Sequence, residues 1–91
     1  MPNLKNLKTT GTTTFGRYGQ DDHLFRVNPD IPISLALEYA SNLLKCANTL
    51  ALDIAMGEGS AQAAWSAWYL GEMAKALTDD VSQALAEHEV D

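Results

Sequence analysis

Asp21-Asp22-His23 sets three potential metal ligands in a row and is the first cluster in this sequence that could do chemistry. In an extended segment consecutive side chains point to opposite faces, so the three do not converge on one ion. Structural zinc asks for a tetrahedral Cys/His set. This chain has one cysteine, no His-x-x-x-His pair, and its second histidine, His88, lies far along the chain. No metal site and no cofactor is expected.

Cys46 would be a nucleophile only if His23 or His88 met it in space. It falls in mid-helix, away from the helix N-terminus that would favour a thiolate, and reads as a small semi-buried thiol. Glu72 and Asp79 share a helix face with Lys75 in reach of both, and Asp80, Glu87, Glu89 and Asp91 follow. Paired carboxylates do acid–base work only in a pocket that perturbs them. On an exposed helix they read as solvated charge, with Glu72–Lys75 as an i,i+3 pair. Gly11, Gly16 and Gly19 make neither GxxxxGK[ST] nor a GxGxxG turn. No catalytic residue emerges, and the expectation is a protein that is not an enzyme.

The elements that carry these residues are mostly helical. Residues 1–11 are polar and aperiodic and read as a disordered tail. Residues 12–91 read as a single domain: an arm over 12–30, one helix over 33–56 and a second over 60–88. Within the arm, Thr12 to Tyr18 and His23 to Val27 favour strand, with Gly19 to Asp22 as the turn between them. An isolated two-stranded hairpin is marginal in water and would need the helices beneath it, or a second copy to pair with. Asn28-Pro29-Asp30-Ile31-Pro32 then breaks the chain; Pro32 suits a first helical turn, and Asp30 or Ser34 is the N-cap. Gly57 is a C′ residue and Ser60 the cap of the second helix.

The two helices share one rhythm. Leu37, Ala40, Leu44, Ala47, Ala51 and Ile54 follow 3-4-3-4-3 steps, flanked by Ala36, Leu43 and Leu50. Ala67, Leu70, Ala74, Leu77, Val81 and Ala84 repeat the pattern. Folding at 57–60 makes the helices antiparallel neighbours and sets large residues against small ones. The expected class is therefore mainly all-α, an antiparallel helical hairpin with a short N-terminal arm. Trp65, Trp68 and Tyr69 fall off the seam, with Met73, Leu43 and Leu50 at its edge, and these six form the candidate interface. An uncovered apolar face of this kind marks an interface. Either the arm, with Phe15, Tyr18, Leu24, Phe25 and Val27, folds over it, or a second copy completes a four-helix bundle, or the surface is reserved for a different, unidentified protein partner. A two-fold homodimer leads, because a hairpin of about fifty residues has a marginal core.

Charge narrows the partners. Residues 1–27 carry four basic side chains against two acidic ones; residues 28–91 carry two, Lys45 and Lys75, against ten. A helical body at −8 repels phosphate, so no direct nucleic-acid binding is expected. The longest uncharged run, Gly59 to Gly71, is too short for the ~20 residues of a membrane span. With no apolar leader and a lone cysteine, the chain reads as cytoplasmic.

Thr14-Phe15-Gly16, Leu24-Phe25-Arg26-Val27, Ile31-Pro32, Ala36-Leu37, Ala40-Ser41, Leu43-Leu44 and the run from Tyr69 to Leu77 (YLGEMAKAL) occur in a familiar order. From Thr14 to Val81 the chain resembles a family of short pseudomonad proteins, domain of unknown function 3077. The resemblance implies a bacterial origin and no established activity, and carries no functional residue over. Function on sequence grounds is unknown. The leading class is a non-enzymatic protein–protein interaction or regulatory module. The alternatives are an acidic decoy for the basic groove of a nucleic-acid-binding protein, and a small-ligand binder at the aromatic cluster of the second helix.

Overall fold

The structure is a computed structural model that describes residues 6–90. Two strands, β1 (Thr14–Tyr18) and β2 (Asp22–Arg26), precede two helices, α1 (Ile33–Ala55) and α2 (Ala61–Val90). The chain is mainly helical, with a two-stranded antiparallel sheet in its arm. The helix ends lie within two residues of those the periodicity sets.

The turn between the helices follows local chemistry. Gly57 takes φ +81° and its N–H donates to the Ile54 carbonyl, closing α1. A residue with a Cβ resists that conformation. Ser60 Oγ accepts from the Ala63 N–H at 3.1 Å, an N-cap on the third residue of α2. The start of α1 is capped differently from either expectation. Pro32 occupies the cap position and has no side-chain bond. The Ile33 N–H instead donates to the Leu7 carbonyl at 3.2 Å, and Asp30 sits in a turn at φ +66°. Backbone from the arm does what a cap side chain would have done.

That arm corrects the expected tail. Residues 1–5 lie outside the described residues, but Leu7, Thr9 and Gly11 are buried. Thr9 explains much of this order. Its N–H donates to the Ile31 carbonyl and its carbonyl accepts from the Asp30 N–H. Its hydroxyl donates to the Asn28 carbonyl at 2.6 Å and accepts from the Ile31 N–H at 3.1 Å. Polar composition suggests disorder only when no partner exists for the backbone, and here the α1 approach supplies one.

The seam of α2 is as read: Ala74, Val81 and Ala84 are buried, and Ala67, Leu70 and Leu77 half-buried. The seam of α1 is not. Its buried residues are Ile33, Ala36, Ala40 and Ala47, with Leu43 and Leu50 half-buried between them. Leu37, Leu44, Ala51 and Ile54 are exposed. The flanking stripe is the true seam, again in 3-4-3-4-3 steps. Both stripes contain Ala40 and Ala47, so periodicity alone does not choose the phase; packing does. Leu7, Ile33, Ala36, Val81 and Ala84 form one cluster, against which Ile31, Leu77 and Leu85 pack. The core thus sits at the end of the hairpin away from the turn, closed by the arm.

The sheet leans on α2 through β1. Thr14 pairs with Arg26, Phe15 with Phe25, Arg17 with His23 and Tyr18 with Asp22. Between the first two pairs and the last two lies Gly16 at φ +68°, where a Cβ would stand 2.7 Å from a Phe25 ring carbon. Glycine there lets the Phe25 ring lie across the strand, stacked on Phe15 with centroids 5.3 Å apart.

Candidate functional site

One stripe of α2 organises the surface. Asp80, Ala76, Met73 and Tyr69 recur at steps of four, three and four, so they lie along one face. Their exposures are 0%, 3%, 38% and 53%. The stripe is sealed where the arm crosses it and opens toward the turn.

The sealed half is held by Asp80. Its carboxylate accepts from the backbone N–H groups of Thr10, Gly11 and Thr13, at 3.1 Å for Gly11 and 3.4 Å for Thr13. Three donors directed at one carboxylate satisfy a buried charge that would otherwise be costly. Sequence reasoning placed Asp80 with the solvated charges. The signal it missed is positional: Asp80 lies four residues from both Ala76 and Ala84, on the inward side, while Asp79 faces out. Asp79 binds Lys75 at 2.7 Å, in place of the expected Glu72–Lys75 pair. The Lys75 ammonium is raised above its usual value, first by that hydrogen bond and then by the Asp79 charge, against a small desolvation and with a minor contribution from Glu72.

The open half carries the aromatic residues. Trp65 and Trp68 meet edge to face with centroids 6.3 Å apart, Trp68 and Tyr69 at 5.4 Å, and Trp65 and Tyr69 at 6.1 Å. All three are more than half exposed. They form one wall of a cleft of about 280 Å³ whose other wall is Phe15, Gly16, Leu24 and Phe25 of the sheet. Met73 adds to the apolar lining; Arg17 and Glu72 are its charged residues. Four of the six candidate interface residues, Trp65, Trp68, Tyr69 and Met73, therefore come together. Leu43 and Leu50 do not line this cleft and belong to the α1 seam. The arm reaches the aromatic cluster through Phe15, Leu24 and Phe25 without covering it.

The remaining chemical candidates stay apart. Asp21, Asp22 and His23 are exposed at the sheet turn and β2. No three His, Cys, Asp or Glu among the described residues group around a metal-sized space. Cys46 is exposed rather than semi-buried. No helix among the described residues is long and apolar enough to cross a membrane.

Residues 9–84 match the family described as Protein of unknown function (DUF3077), and the chain belongs to that family. The matched span runs from the Thr9 anchor through the sheet and the Asp80 attachment to the last seam alanine. No curated protein and no solved structure matches the chain.

Proposed function

We propose that this member of the family is a non-enzymatic protein-interaction module that works as a cytoplasmic homodimer through the open half of the α2 stripe, two helical hairpins together making a four-helix bundle. The observation that carries the reading is the break in burial along a single helix face: complete at Asp80 and Ala76, half gone by Tyr69. Among the described residues the arm is the chain's own cover, and it stops short.

Area and charge support a second copy as the occupant. An aromatic side chain presents about 150–250 Å², so Trp65, Trp68, Tyr69 and Phe25, each half bare or more, expose with Leu24 and Met73 roughly 600 Å². One partner contributes about 800 Å² to a standard interface. The run from Gly59 to Gly71 carries no charge, and the charged residues of the cleft, Arg17 and Glu72, are of opposite sign, so like-charge repulsion between two acidic copies is reduced there. The acidic-decoy reading has less behind it, because Asp80 spends its charge inside the protein.

Light scattering at high micromolar concentration should give close to twice the 9.9 kDa chain mass, and Trp68→Ala should return the monomer with its helical content intact. A wild-type chain that scatters as a monomer would overturn the homodimer. The cleft itself favours one second reading, a small amphipathic ligand between Phe25 and Trp68; tryptophan fluorescence that shifts on ligand addition in a monomeric chain would select it.

A further inference from the structure

The cleft between the sheet and α2 carries one carboxylate without a partner. Glu72 lines it and is half-buried. Lys75, the base nearest to it in sequence, is bonded to Asp79 at 2.7 Å, and Glu72 makes no ion pair among the described residues. Arg17, the basic residue of the lining, donates to the Gln20 carbonyl at 2.5 Å in the sheet turn. Glu72 follows Trp65 by seven positions, Trp68 by four and Tyr69 by three, which sets its charge on the same helix face as the three rings. Trp68 stands at 86° to Trp65 and 70° to Tyr69, while Trp65 and Tyr69 lie within 31° of each other. The wall therefore offers ring planes in two directions beside a negative charge.

We infer that this cleft binds a small quaternary ammonium compound, its cationic head against the α2 rings beside Glu72. The inference rests on the small-ligand reading of the cleft given above and names the chemical class. Ring faces are negative and attract a cation lying within about 6 Å of the centroid. The Glu72 charge and the acidic helical body add to that attraction. An anion would meet the opposite field. A neutral apolar ligand would cover the half-buried carboxylate and leave its charge unanswered. A primary ammonium would give up hydrogen bonds to water, because the lining is apolar apart from Arg17, Glu72 and the Tyr69 hydroxyl; a quaternary one has none to lose. Size agrees. The cleft, at about 280 Å³, lies just below the ~300–1,000 Å³ of pockets for drug-sized ligands, which suits a compact head group.

Both tryptophans of the chain stand in the cleft wall, so their emission reports occupancy. The probes are choline and its uncharged isostere, in which a tert-butyl group replaces the trimethylammonium head. Each is added to the full chain, diluted until light scattering gives the monomer mass. Choline should shift the emission and saturate, and the isostere should bind about tenfold more weakly for want of the cation–ring contact. Glu72→Gln should weaken choline about threefold or more and leave the isostere unchanged. Trp68→Leu, which keeps apolar bulk without the ring, should weaken choline about tenfold, with circular dichroism still helical and Trp65 as the reporter. Equal affinity for choline and the isostere would overturn the cation and leave a small-ligand site standing. Choline bound by Glu72→Gln as tightly as by wild type would overturn the assignment as well. No response to either probe would remove the small-ligand reading together with it, while the homodimer is judged separately by its mass.

Discussion

The two halves of the α2 stripe are built from similar sequence and end in opposite states. Near the chain termini, the α2 stripe at Ala76 and Asp80 lies under the arm, and Leu7, Ile33, Ala36, Val81 and Ala84 close a small core. Near the turn the helices continue with the same rhythm, yet Leu44, Leu52, Met56, Trp65 and Trp68 remain exposed. The difference is not apolar content, which is higher toward the turn. It is whether a third element reaches the face. A helical pair buries one stripe of each helix and needs another layer for the rest; among the described residues the arm supplies that layer for half the length.

The closed half should carry most of the stability. The largest effect should follow from Asp80→Ala. It removes an acceptor of three backbone bonds, and hydrogen bonds to charged groups contribute about 1.5–3 kcal/mol each, so a loss of about 3 kcal/mol or more is expected in urea denaturation. Amide exchange at Thr10, Gly11 and Thr13 should accelerate ahead of the helices. A denaturation midpoint unchanged from wild type would dissolve the distinction between the halves.

A matched pair of leucines sharpens it. Leu77→Ala, packed against the core cluster, should cost about 2–3 kcal/mol, whereas exposed Leu44→Ala should cost less than about 1 kcal/mol in the monomer. Equal losses would mean that the α1 seam has the phase periodicity first suggests. The turn comes next. Gly57→Val forces a β-branched residue into the left-handed region and should destabilise by about 1–2 kcal/mol, with helical content unchanged below the melt. An equally stable variant would show that the turn relaxes freely and contributes little.

The smallest effect belongs to the exposed Lys75–Asp79 pair. The Lys75 pKa is raised in the folded chain, so its contribution is whole below the unfolded value near 10.5 and is lost as pH rises through the folded value. Melting temperature should drop slightly more between pH 9 and pH 11 in wild type than in Asp79→Asn. Added salt should erase the difference, as for any solvent-exposed pair. A large salt-insensitive drop would mean that the pair is more enclosed than its exposure indicates.

How much of this could be read beforehand depended on the range of the interaction concerned. Helix limits, the Ser60 cap, the Gly57 conformation and the α2 seam rest on residues within a turn or two of one another, and composition at fixed spacing specifies them. The sheet was legible for the same reason, its strands being joined by a short turn. The α1 phase was not, because Leu37 and Leu44 on one side and Ala36 and Leu43 on the other make equally regular stripes. Only contact with Leu7, Val81 and Ala84 separates them.

Asp80 is the sharper case. By itself the sequence determined that an acidic residue stands at that place on α2. Whether it would meet water or protein was settled by Thr10, Gly11 and Thr13, about seventy positions earlier, whose backbone N–H groups needed an acceptor once the arm had crossed the helix. A buried charge survives only where donors converge on it, and convergence over that separation is a property of the tertiary structure alone.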